Sequence, residues 1–113
     1  MQLLEDRIRR DGKVAPGNVL RVDSFINHQM DMQLVPALAD EFCRLFAGER
    51  IDKVLTIEAS GIAIAAMVAQ RLCVPMVFAK KSKTSNIPDT VYSAPARSFT
   101  HGTVNTVLVS REY

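Results

Sequence analysis

Much conventional active-site chemistry is missing from this sequence. It has two cysteines, Cys43 and Cys73, without CxxC spacing. Each lies in an apolar helical pattern and reads as a buried free thiol in a reducing cytoplasm, not as a nucleophile. The two histidines, His28 and His101, fall in different kinds of element, so no zinc site is expected and the metal-ligand assignment is none. GxxxxGK[ST], GxGxxG and GxSxG are all absent, which removes the P-loop, the dinucleotide fingerprint and the serine-hydrolase elbow around Ser60. A net charge of +2 is too small to argue for nucleic acid, and the basic residues are scattered apart from Lys80, Lys81 and Lys83. The longest apolar stretch, around Gly61–Ala69, is about half a membrane span. The N-terminus MQLLEDRIRR is amphipathic and carries acids, unlike a signal or transit peptide. No membrane association is expected, and the setting reads as cytoplasmic.

The 113 residues are 48% apolar and 23% charged, which suits a single small domain with a core, residues 1–113. Leu3, Leu4 and Ile8 mark one face of a first helix, and Gly12 is placed to end it in the left-handed conformation. Lys13–Gly17 reads as a connector containing Pro16, and Val19–Val22 as a short β-prone run. The cluster Phe25-Ile26-Asn27-His28-Gln29 has two readings: a base-reading polar edge, or a solvated loop anchored by Phe25. Asp31 is a plausible N-cap for a helix whose stripe is Leu34, Leu38, Phe42, Leu45 and Phe46, with Gly48 ending it.

Residues 51–83 read as strand, small-residue turn, helix and strand. Ile51–Ile57 has an apolar half, Val54–Ile57, of the kind buried on both faces. Helix Gly61–Leu72 and strand Val74–Ala79 complete a unit that implies a parallel pair with a right-handed crossover. Residues 84–113 form a polar, Pro-containing loop and then β-prone runs, Thr90–Ser93, Arg97–Thr100 and Thr103–Ser110. A turn is expected at His101-Gly102, giving an antiparallel flap beside the sheet.

Two features on one sheet edge carry chemistry. In the turn Glu58-Ala59-Ser60-Gly61, small residues let backbone N–H groups converge at a helix N-terminus, which favours an anion. Lys80-Lys81-Ser82-Lys83 follows the neighbouring parallel strand, roughly 5–10 Å away if the strands are adjacent. Together they suit a polyphosphate, while a tight connection and a solvated lysine run remain open. Glu58 itself reads more simply as a solvated carboxylate than as a group that orients the turn or binds a metal through water.

The runs Val19–Gln29, Thr56–Ala63 and Val77–Lys83, with Val91–Ser93 and Ser98–Thr100, resemble the bacterial xanthine phosphoribosyltransferases in register along nearly the whole chain. The resemblance implies an α/β fold: a type I phosphoribosyltransferase-like parallel sheet with flanking helices and an antiparallel flap, the hood. It implies purine salvage, in which 5-phosphoribosyl-1-pyrophosphate (PRPP) and xanthine give XMP and pyrophosphate, with Mg2+ bound alongside PRPP. It places xanthine against Leu20 and Asn27, and pyrophosphate in the turn Glu58, Ala59, Ser60 and Gly61 and on Lys81; no catalytic residue is assigned. The hood, about 83–98, would close over the reacting centre. A homodimer is implied for the full-length family.

Members of that family are longer and carry a later apolar strand ending in two acids, followed by a small-residue loop that grips the ribose phosphate. The sequence therefore reads as a truncated domain, incomplete at the C-terminus, with 1–50 the base-binding segment and helix, 51–83 the core and 84–113 the hood. Such a piece is expected to be inactive alone, to leave Ile51–Ile57 with one unpaired edge and exposed apolar faces, and so to be poorly stable, aggregation-prone or dependent on a partner. The alternatives are a non-catalytic purine- or pyrophosphate-binding fragment, and a relative of the purine operon repressor. The repressor reading lacks a basic winged-helix segment.

Overall fold

The computed structural model of the chain describes residues 1–82, 90–97 and 104–113. Helix α1, Gln2–Asp11, presents Leu4 and Ile8 to the core, whereas Leu3 on the expected face is half exposed. Gly12 ends α1 at φ −69° and ψ 141°, extended and not left-handed. Glycine fits there for another reason: its N–H reaches the Ile8 carbonyl at 2.8 Å, and a Cβ would collide with that oxygen.

The expected connector is a β-hairpin. Strand β1, Lys13–Ala15, pairs antiparallel with β2, Val19–Arg21, around Pro16-Gly17-Asn18, where Gly17 and Asn18 supply positive φ. A π-helical turn, Asp23–Asn27, then drives Phe25 into the core with Leu34 and Leu38, flanked by Leu4, Ile8, Val22, Ile26 and Ile64. Phe25 is 0% exposed, and the Arg7 guanidinium stacks 5.2 Å above its ring.

Asp31 performs the expected capping for α2, Leu34–Leu45. Its Oδ1 accepts the N–H of Gln33 at 2.8 Å and of Leu34 at 3.2 Å, while Oδ2 pairs with Arg7 at 2.6 Å. These bonds hold the carboxyl below the usual carboxylate range, the Gln33 N–H contributing most. Leu34 and Leu38 are buried, but Phe42, Leu45 and Phe46 at the other end of the stripe are exposed.

Strand β3, Val54–Ile57, helix α3, Gly61–Leu72, and strand β4, Met76–Ala79, form the expected unit, with β3 and β4 parallel from Val54↔Met76 to Ile57↔Ala79. The strands start later than expected, and β3 is not buried on both faces. Its burial alternates, leaving Leu55 65% and Ile57 46% exposed on one face, and among the described residues β3 pairs only with β4. An apolar groove of about 500 Å³ lies between Phe42, Phe46, Leu55, Ile64, Val68 and Leu72. The Arg71–Asp40 ion pair at 2.8 Å ties α3 to α2. Cys73, expected to be buried, is exposed in the left-handed cap after α3, and Cys43 is half-buried; both are free thiols.

The antiparallel flap consists of β5, Val91–Arg97, and β6, Val104–Ser110, paired along seven positions. β5 runs straight through Pro95, where an edge position tolerates the missing N–H. The expected turn at His101-Gly102 lies outside the described residues. Reciprocal bonds between Lys80 and Leu108, at 2.9 and 2.8 Å, join β6 to the end of β4. No helix among the described residues is long and apolar enough to cross a membrane.

Candidate functional site

At the C-terminal ends of β3 and β4 the chain builds one connected edge. The Glu58 N–H donates to the Ala79 carbonyl at 3.1 Å, extending the ladder one step beyond β3. The turn then leaves the sheet through a cis Glu58–Ala59 peptide bond. Ile62 N–H closes the turn onto the Ala59 carbonyl at 3.2 Å. The backbone N–H groups of Ala59, Ser60 and Gly61 donate to no acceptor among the described residues, and the Ser60 side chain caps nothing. Three consecutive unsatisfied donors at a helix N-terminus can receive an oxyanion.

Gly61 is required by packing. A Cβ there would overlap Thr56 Oγ1, so the helix start lies directly on β3 and the turn stays tight.

The lysine run meets this turn directly, closer than the strand spacing alone suggested. Lys81 N–H donates to Glu58 Oε1 at 2.6 Å. Glu58, expected as a solvated carboxylate, is half-buried and engaged in tying the turn to the lysine segment. The Lys81 side chain is exposed, and Lys83 lies outside the described residues.

The two residues assigned to the base lie elsewhere in the chain. Leu20, in β2 opposite Val14, is 48% exposed, and Asn27 is exposed at the end of the π-helical turn. Neither lines the apolar groove beside β3 nor the cavity of about 570 Å³ between β4 and β6. The polar run Asn27-His28-Gln29 is exposed, with Phe25 as its buried anchor.

Magnesium was implied by the resemblance. Among the described residues no three carboxylate, imidazole or thiol groups cluster to hold a metal ion. A protein-only cage does not fit, whereas a magnesium that keeps most of its ligands on phosphate oxygens and water needs none.

No family profile matches the sequence. Curated relatives do. The chain is 56% identical over 113 residues to xanthine phosphoribosyltransferase of Lachnoclostridium phytofermentans, covering 100% of this chain and 58% of that protein. It is 53% identical to the xanthine phosphoribosyltransferase of Lactobacillus acidophilus over 113 residues, or 59% of that protein. The chain is a relative of the xanthine phosphoribosyltransferases. It spans a little under three-fifths of the length of these two.

Solved structures agree on the fold. An adenine phosphoribosyltransferase from Giardia lamblia, complexed with 9-deazaadenine, superposes with a TM-score of 0.74 at 19% identity, covering 96% of this chain and 60% of that one. The Trypanosoma brucei enzyme, in complex with AMP, pyrophosphate and ribose-5-phosphate, gives 0.68 at 16% identity over 97% of this chain and 49% of that one. The chain therefore has part of the phosphoribosyltransferase fold, with a parallel strand pair, flanking helices and antiparallel strands.

Proposed function

We propose that the chain supplies the base and pyrophosphate side of a xanthine phosphoribosyltransferase, which moves the 5-phosphoribosyl group from PRPP to xanthine and yields XMP and pyrophosphate. The observation that carries this reading is the bond from Lys81 N–H to Glu58 Oε1, which joins the lysine segment to a turn whose Ala59, Ser60 and Gly61 amides meet no acceptor among the described residues. The xanthine relatives, at 56% and 53% identity, support the choice of base.

Breaking the bond to pyrophosphate leaves positive charge at the anomeric carbon and gathers negative charge on the leaving group. Donors fixed beforehand around that group lower the barrier, because they need no reorganisation as charge develops. Ala59, Ser60 and Gly61 would supply backbone N–H donors, and Lys81 a flexible ammonium. Magnesium bound with PRPP would neutralise part of the pyrophosphate charge. Leu20 would pack on one face of xanthine, and the Asn27 amide would pair with its edge. The segment 83–98 would close over the centre and exclude water. The full-length protein would work as a cytoplasmic homodimer.

The 113 residues are expected to bind pyrophosphate and xanthine without turning over PRPP, since the ribose-phosphate grip would come from elsewhere in the full-length architecture. Calorimetry with each ligand and a pyrophosphate-release assay with xanthine, guanine and hypoxanthine test this. Turnover by the pure 113-residue chain would overturn the division of labour, and loss of both binding events would overturn the assignment. A non-catalytic binding fragment predicts the same binding here. It differs in that the full-length protein would show no xanthine-dependent release.

A further inference from the structure

A carboxylate in a turn proposed to receive an anion needs a reason, because Glu58 aimed at pyrophosphate would repel it. The structure points that carboxylate somewhere else. Its Oε1 accepts Lys81 N–H at 2.6 Å, a charge-assisted bond of the stronger kind. The preceding residue is held from the other side, with Lys80 N–H donating to Leu108 O at 2.9 Å and Leu108 N–H to Lys80 O at 2.8 Å. The backbone of Lys80–Lys81 is thus fastened to β6 on one flank and to the turn on the other. Glu58 is itself anchored through its own N–H on Ala79.

We propose that Glu58 is a positioning residue: it acts through the Lys81 backbone and touches no substrate. This rests on the pyrophosphate reading and deepens it. The carboxylate fixes where the lysine segment leaves β4, so the Lys81 ammonium and the amides of Ala59–Gly61 address one ligand. The Lys80–Leu108 pair extends the same restraint to the antiparallel hairpin, so occupancy of the turn and order in β6 are coupled.

Two substitutions separate positioning from contact. In Glu58→Gln the amide oxygen still accepts the Lys81 N–H; in Glu58→Ala nothing does. Titration of the 113-residue chain with inorganic pyrophosphate should show E58Q within about fivefold of the parent and E58A weaker by roughly ten- to a hundredfold. In nitrogen–proton NMR spectra without ligand, the Lys81 amide proton should stay downfield in the parent and E58Q and move upfield in E58A. Dispersion of the other amides reports that the fold survives. E58Q as weak as E58A means the carboxylate meets the ligand, and overturns the proposal. So does an E58A that binds like the parent, or a Lys81 amide proton unmoved in E58A. No pyrophosphate binding by the parent overturns the functional reading and the positioning role resting on it, and the Lys81 shift then reports only on the structural bond.

Discussion

Gly61 lies so close to Thr56 that a single added carbon would overlap the threonine hydroxyl, which makes the contact between α3 and β3 a condition for the tight turn Glu58–Gly61. Replacing Gly61 by Ala should improve helix propensity and still lower stability. The helix gain is at most about 1 kcal/mol, while overpacking costs roughly 1–3 kcal/mol. Urea denaturation should show the net loss. Adding Thr56→Ala should recover part of it, so that the double variant is more stable than the sum of the singles predicts.

Among the described residues Phe25 is the largest side chain with no exposed surface, and it fastens the polar run behind it to the core. Phe25→Ala should cost about 3–5 kcal/mol by analogy with other buried aromatics. That is a large share of the stability of an ordinary small domain. The denaturant midpoint should fall sharply, and xanthine binding should weaken with it if Asn27 depends on this anchor.

Acid should loosen the start of α2. The Asp31 carboxyl is held low by the N–H groups of Gln33 and Leu34, and then by Arg7. A depressed folded-state pKa means the contribution is full above the unfolded carboxylate pKa of about 3.9 and is lost as pH falls through the folded value. Asp31→Asn should flatten the acid limb of a stability–pH curve and leave neutral pH less affected than Asp31→Ala, since an asparagine oxygen still caps. Asp23 beside Arg21 and Glu41 beside Arg44 are held low as well, so some acid dependence should remain in either variant.

Cys73 occupies the left-handed cap of α3 at φ 54°, a conformation that suits glycine better than a side chain. Cys73→Gly should raise stability by roughly 0.5–1 kcal/mol, the relief of the left-handed cost outweighing the added freedom of the unfolded chain. Thermal unfolding checks this. In the parent, a thiol reagent should label Cys73 in the native state well before the half-buried Cys43.

The strand–helix–strand unit was legible because each part carries its own local pattern. Val54–Ile57 and Met76–Ala79 are short apolar runs, and the α3 limits match the sequence reading at both ends. Asp31 was legible for the same reason, since a cap acts on the next few residues. The β1–β2 hairpin escaped notice because Lys13–Ala15 is only three residues long, although Pro16-Gly17-Asn18 was a turn signal. The exposure of Leu55 and Ile57 follows the expectation for half a parallel sheet, whereas that of Phe42 and Phe46 escaped because an apolar pattern marks what favours burial, not what is present to cover it. The Glu58–Lys81 bond spans 23 residues and runs from a side chain to a backbone amide, so no local spacing encodes it. The separate assignments of turn and lysine came from their types; their junction came from the fold.

The most direct test of the pyrophosphate assignment is an NMR titration of the 113-residue chain with inorganic pyrophosphate, followed by xanthine. The account predicts that pyrophosphate moves the amides of Ala59, Ser60, Gly61 and Lys81, with Leu108 responding through Lys80, and that xanthine moves Leu20 and Asn27. Pyrophosphate shifts confined to other basic positions such as Arg9, Arg10 and Lys13, with the turn silent, would contradict it.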